Sequence, residues 1–191
     1  MHTVKLFEFI QRATPRIRAL VYSYMFGLSL KRLGYHCKLK GMEYFNLGKG
    51  ILIGDFCCIE AVYKYGSRSH SPSLIINENV AFSDFCHISC VHKIYIGANC
   101  LFGSKVYVGD HNHGSMVRIK EQLHIPPALR PLDDIGEIII EETCFICDGA
   151  IILAGTRLAA GSIVAANSVV KMKTDRPALV GGVPAKIIKE L

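Results

Sequence analysis

The residues best suited to chemistry are gathered in one short segment, Val108-Gly-Asp-His-Asn-His-Gly114. An acid precedes one histidine, and a second histidine follows two positions later. Imidazole is the usual general base near neutral pH, because its charge changes in that range. A pair of solvated loop histidines would be spelled the same way, so the surrounding elements must decide. The eight cysteines raise two further chemistries, disulfides and zinc binding.

The elements that must position these groups follow a six-residue beat. From Ile140 an aliphatic residue recurs at Ile146, Ile152, Leu158, Val164 and Val170. Four positions after successive beats stand small residues: Cys144, Ala150, Thr156, Ser162 and Ser168. The same beat occurs at Ile53 and Ile59, at Ile76, Phe82 and Ile88, and at Ile96, Phe102 and Val108. Short fixed periods of this kind mark a parallel β-helix, in which one repeat forms one side of a coil. Three sides of six residues give a triangular prism with eighteen residues per coil. Gly, Asn and Asp between the beats supply tight corners. An ordinary sandwich would have strands of unequal length at longer spacing, so the beat argues against it. The frame also assigns the cysteines. Cys57, Cys86, Cys100 and Cys144 fall at the inward small position, where cysteine acts as a small hydrophobe, and Cys147 of the Cys144-x-x-Cys147 pair falls at a corner. Unpaired thiols in this number imply a reducing compartment, the cytoplasm.

Three segments interrupt the beat. Tyr63–Leu74 reads as a short polar and aromatic loop, and a two-residue slip separates Ile88 from Ile96. A long loop over residues 110–139 opens with the two histidines, and long loops inside compact domains are usually functional. The expected organisation is an N-terminal helical segment over 1–36, a β-helix over 37–172 carrying the loop 110–139, and a tail over 173–191. In the first segment Val4, Phe7, Ile10, Ile17, Leu20, Tyr24 and Leu28 follow helical spacing. Pro15 should break or kink it into two short helices.

The net charge of +6 over 191 residues is uneven. Residues 1–40 hold eight Lys or Arg against Glu8 alone, whereas the rest holds fourteen basic and fifteen acidic residues. This basic and aromatic helix would either lie on an anionic membrane surface or pack on the prism or a neighbouring subunit. The longest apolar stretch, Ala19–Leu30, is too short to span a bilayer, and no secretory leader is visible.

The chain resembles the hexapeptide-repeat acyltransferases with a left-handed parallel β-helix. Within them it is most similar to the O-acetyltransferases of bacterial cell-surface polysaccharide synthesis, the group with the galactoside, maltose and nodulation acetyltransferases. The repeat, Asp110-His-Asn-His-Gly114 at the loop start and the ending Gly181-Gly-Val-Pro-Ala-Lys-Ile-Ile-Lys189 carry the likeness, over roughly residues 45–191. It implies an all-β left-handed β-helix, a homotrimer with sites between neighbouring prisms, and acetyl-CoA as co-substrate with no metal. His111 would be the general base and His113 the second candidate. Transfer would be direct to a sugar hydroxyl, with a backbone N–H near Gly103 holding the oxyanion. By position, Ala166, Lys171 and Lys189, then Gly149 and Lys186, would contact the CoA, and Asp84, His87 and Asp110 would face the acceptor.

Two departures touch the CoA positions. Phe145 stands where relatives often carry Trp, and Lys171-Met-Lys-Thr-Asp replaces the usual Thr-Lys-Asp. The basic N-terminus also differs from the acidic segment of the maltose and galactoside enzymes. It suits a lipid-linked or nucleotide-linked glycan precursor at the membrane's cytoplasmic face, and nucleic acid is not an expected partner. Two other readings use the same prism. A zinc hydratase like the γ-class carbonic anhydrases would draw on His87, His92 and His111. A non-catalytic assembly subunit would need no histidine at all.

Overall fold

The computed structural model describes residues 2–191, with the side chains of 2–8, 11 and 12 outside the described set. Three parallel sheets wrap around one axis as a left-handed β-helix. The sheet of functional interest stacks Lys38–Lys40, Cys58–Ala61, His87–Cys90, Tyr107–Gly109, Ile151–Leu153 and Val169–Val170 in that order. Its register places Leu39, Ile59, Ile88, Val108, Ile152 and Val170 in a single inward file. Because strand side chains alternate between faces, their neighbours Cys58 and Glu60, His87 and Ser89, and Tyr107 and Gly109 all face outward.

The beat residues build the core. Ile53, Ile59, Ile76, Ile88, Ile96, Phe102, Val108, Ile140, Ile146, Ile152, Leu158, Val164 and Val170 are all buried. Each contributes roughly 1.5–3 kcal/mol relative to exposure. The small inward positions do more than fill space, because they tie each coil to the next. The thiols of Cys57, Cys86 and Cys100 donate to the carbonyls of Ser83, Gly103 and Glu141, each at 3.1 Å. Further along, the Thr156 hydroxyl donates to Val170 at 3.0 Å, and Ser168 accepts from the Gly182 N–H at 3.1 Å. All eight cysteines are free. The corners are less uniform than the sequence suggests. Asn79, Asn99 and Asn167 adopt the left-handed conformation, but so do Phe56 and Phe85, at φ 56° and 62°. That conformation is costly for a bulky residue. Here the two rings stack at 5.0 Å, and His36 stacks on Phe56 at the same distance.

Several expectations need correction. The N-terminal helix runs unbroken from His2 to Phe26, with Pro15 inside it. Pro15 is buried beside Ala19 against the first coil, and that packing outweighs the local penalty. Arg18 ties the helix down, donating to the Gly34 carbonyl and lying over the Tyr35 ring at 4.2 Å. Of the residues with helical spacing, Ile10, Ile17, Leu20 and Tyr24 are exposed and do not pack on the prism; the side chains of Val4 and Phe7 lie outside the described residues. The prism begins before residue 37, because Leu30–Leu33 already pairs with Ile51–Ile53. The tail is also part of the fold. Ala178–Gly182 extends the eight-stranded sheet, and Ala185–Glu190 turns back along it antiparallel.

Candidate active site

Two interruptions of the beat meet over the outward face of the six-stranded sheet. The first folds into a hairpin of Lys64–Tyr65 with Arg68–Ser69. The second returns on itself through Asn112–His113 paired with Leu132–Asp133, and its base closes where the Gly136 N–H donates to the Asp110 carbonyl at 2.9 Å. The Tyr65 hydroxyl bridges the two segments, donating to the Ala128 carbonyl at 2.6 Å and lying 3.2 Å from His113 Nδ1. Arg68 adds an ion pair to Asp133 at 3.4 Å. Together they rim a cavity of about 500 Å³ lined by Glu60, Tyr65, His87, Ser89, Tyr107, His111 and His113, among others.

The cavity's best-held group is His111. Its Nδ1 lies 3.0 Å from Asp110 Oδ1, and the residue is 8% exposed. Asp110 is fully buried and also accepts the N–H groups of Val91, His92 and Lys93 at 2.9, 2.8 and 2.9 Å. Burial pushes its carboxyl up, but hydrogen bonds from His111, Val91 and His92 outweigh it and hold the carboxyl below its ordinary value. An ionised partner at Nδ1 keeps the proton on that nitrogen and leaves Nε2 with a lone pair. Asp110 therefore cannot face the acceptor, as its place in the sequence implied, because both oxygens are engaged inside the prism. The three amides it binds form the corner that appeared in the sequence as the slip between Ile88 and Ile96.

A second carboxylate–imidazole pair lines the same cavity, joining His87 to Glu60, which no motif in the sequence marks. Glu60 Oε1 lies 3.3 Å from His87 Nε2 and accepts from Ser89 at 3.1 Å, while Oε2 pairs with Lys40 at 3.2 Å. The His87 hydrogen bond outweighs burial, and with Lys40 and Ser89 it lowers the Glu60 carboxyl to about 2. The Tyr107 ring meets His87 edge-on at 5.4 Å. Its phenol is pushed up by burial and by the charges of Asp110 and Glu60, so it remains a donor. Gly109 makes room for that ring, since a Cβ there would lie 2.6 Å from Tyr107 Cζ.

Most of the other candidate residues lie elsewhere. Asp84 is a corner residue, accepting the Asp55 N–H at 2.7 Å, and does not line the cavity. The Gly103 N–H donates to the Ile146 carbonyl at 2.8 Å, and those of Ser104 and Lys105 go to Asp148 Oδ1 and the Asp84 carbonyl at 2.6 and 2.9 Å. The expected oxyanion donor near Gly103 is thus already committed to the coil. Gly149 is a corner glycine at φ 68°. Ala166, Lys171, Lys186 and Lys189 are exposed on the last coils and the returning strand. Lys171 follows Val170 in the sheet that carries His87, and its charge helps lower the Asp134 carboxyl on the loop, after the Met116 N–H and hydrogen bonds from Ser115 and Asn112. His113 is exposed and has Tyr65, not a carboxylate, at Nδ1. Arg130 braces the loop internally, donating to the Ile125 carbonyl at 3.0 Å. Among the described residues, the grouping with metal-ligand spacing is Cys58, Glu60 and His87, within 4.8 Å of one another, and His92 and His111 are not in it.

No family profile matches the chain. It is 27% identical to WbbJ of Escherichia coli (strain K12), named as a lipopolysaccharide biosynthesis O-acetyl transferase, over 91% of this chain and 86% of that one. Among solved structures, it is similar to the hexapeptide-repeat-containing acetyltransferase VCA0836 of Vibrio cholerae O1 biovar eltor, complexed with acetyl coenzyme A. That match has a TM-score of 0.54 and 24% identity, over 91% of this chain and 76% of that one. It is also similar to a variant of AntD, an N-acyltransferase of Bacillus cereus in complex with dTDP-4-amino-4,6-dideoxyglucose and coenzyme A. There the TM-score is 0.61 at 16% identity, covering 87% of this chain and 86% of that one. These structural likenesses speak for the fold. In sequence the chain is thus similar to a lipopolysaccharide biosynthesis O-acetyl transferase, and in fold to the hexapeptide-repeat acetyltransferases.

Proposed function

We propose that the chain is an acetyl-CoA-dependent O-acetyltransferase acting on a sugar hydroxyl of a cell-surface polysaccharide precursor, with His111 as the general base. The observation that carries this is the Asp110–His111 pair at the wall of the cavity. Asp110 fixes the tautomer, so His111 Nε2 can take the hydroxyl proton as the oxygen adds to the thioester carbonyl. His111 then returns the proton to the departing thiol. No covalent enzyme intermediate is needed, and burial holds the Cys90 thiol at about 12, with the Asp110 charge adding to it. Glu60 orients His87, and His87, Ser89 and Tyr107 offer polar atoms to the sugar. Lys171, Lys186 and Lys189, with the Ala166 backbone, serve the phosphates and chain of the donor. The complexes of VCA0836 with acetyl-CoA and of AntD with coenzyme A and a nucleotide sugar support this assignment. The working form is a homotrimer on the cytoplasmic side, with donor and acceptor meeting between prisms.

The test is acetyl-CoA binding by calorimetry to wild type and to His111→Ala, followed by turnover on a panel of nucleotide-linked and lipid-linked sugar precursors. Both proteins should bind. The variant should lose about 10²–10⁴ in kcat, the share of a positioned general base. Absence of acetyl-CoA binding by folded wild-type protein would remove the transferase reading.

A further inference from the structure

The N-terminal helix presents two faces, and neither is polar in the usual way. Pro15, Arg18, Ala19 and Tyr22 turn toward the first coil, where Ala19 is buried and Arg18 is spent on Gly34 and Tyr35. Phe9, Ile10, Ile17, Leu20, Val21 and Tyr24 are all exposed, Leu20 at 68% and Tyr24 at 93%. At 100° per residue these six fall within one continuous arc on the side away from the prism. From Phe9 to Tyr24 the stripe is roughly 22 Å long. A contiguous apolar strip of this kind on a surface helix marks an interaction site.

We propose that this face docks the protein on an anionic lipid bilayer. Charge selects the occupant. Residues 1–40 carry eight basic residues against one acidic, while the remaining chain is nearly balanced; Arg18 and Lys40 are committed to the prism, leaving Arg16 and Lys31 nearest the stripe. Arg16 beside the stripe and Lys31 just beyond the helix are exposed. An apolar, aromatic face flanked by basic residues is the pattern of a helix lying in the headgroup plane. Among the described residues no helix is long and apolar enough to cross a membrane, so the attachment is peripheral. A second copy of the same helix would bring like charges together, whereas anionic headgroups complement them. The inference does not depend on acetyl transfer, and its test needs no turnover.

The experiment is flotation of the full chain with phosphatidylcholine vesicles with and without phosphatidylglycerol, at low and high salt. Wild type should float with the anionic vesicles, less so at high salt and less with phosphatidylcholine alone. Ile17→Gln/Leu20→Gln/Tyr24→Gln should weaken binding at least tenfold with an unchanged thermal melt. Arg16→Glu/Lys31→Glu, which leaves the stripe intact, should lose the preference for anionic vesicles. Wild type that stays with the soluble fraction overturns the proposal. So does a triple variant that floats as well as wild type, or one that instead loses oligomer mass by light scattering, which would make the stripe a contact between copies.

Discussion

Replacing Asp110 with Asn separates the two tasks of that side chain. In the wild type, Oδ1 receives the Val91 N–H and His111 Nδ1, and Oδ2 receives the N–H groups of His92 and Lys93. Asparagine must put its NH2 at one of these positions. At the Oδ2 position it would oppose two buried backbone donors, and at the Oδ1 position only one. Each donor left unsatisfied costs about 1–3 kcal/mol, so the second arrangement wins. The amide then donates to His111 Nδ1, and the imidazole carries its proton on Nε2 instead. The expected stability loss is about 2–4 kcal/mol, counting one orphaned N–H and the weakening of charge-assisted bonds. For a chain of this size that lowers Tm by roughly 5–15 °C. The wrong tautomer should cost on the order of 10²–10⁴ in kcat with little change in the KM for acetyl-CoA. The assay is loss of the thioester's ultraviolet absorbance at a temperature where circular dichroism shows both proteins folded. His111→Ala is the control, because it leaves the three corner amides satisfied and should melt close to wild type. A folded Asp110→Asn with kcat within about tenfold of wild type would refute the reasoning. A His111→Ala protein that melts well below Asp110→Asn would refute it from the other side.

Two other outcomes follow from the same geometry. The Glu60 carboxyl lies at about 2 against an ordinary 4.5, so its contribution to stability is present above pH 4.5 and is lost as pH falls toward 2. The Tm gap between wild type and Glu60→Gln should therefore narrow on acidification from pH 6 to pH 3, and a gap that widens would contradict the assigned ion pairs. Gly103→Ala would set a Cβ 2.6 Å from the Asp148 backbone nitrogen in the next coil, an overpacking expected to cost about 1–3 kcal/mol in denaturant melts. If the melt is unchanged and only acetyl-CoA affinity falls, Gly103 belongs to the cofactor and not to the coil.

The prism was legible in the sequence because each coil writes the same instruction twice, once in the large beat residue and once in the small partner. The place of His111 at the cavity wall was legible because the beat stops there. The faults came wherever the sequence pattern could not say which atoms meet. Asp110 adjoins His111, so its position suggested that it faces the acceptor, yet its other partners are backbone amides from the preceding coil. Glu60 and His87 are 27 positions apart and become neighbours only through a register that the Tyr63–Leu74 interruption obscures. The helix was recognised by its spacing, but the same spacing described its outer face. Pro15 and Arg18, which hold the inner face, carry no apolar period. The tail read as an ending because its hairpin replaces the beat with sheet pairing.

The double duty of Asp110 also bears on how relatives of this chain should be compared. A lineage that gave up acetyl transfer would still need the acid, because the corner at Val91–Lys93 would lose its acceptors without it. Nothing in the prism would oblige it to keep the imidazole. Retention of the acid across a set of homologues is therefore uninformative about activity, while, on the proposed mechanism, loss of the adjacent histidine with the acid intact would mark a retired enzyme. Ancestry is recorded in one residue and occupation in the next.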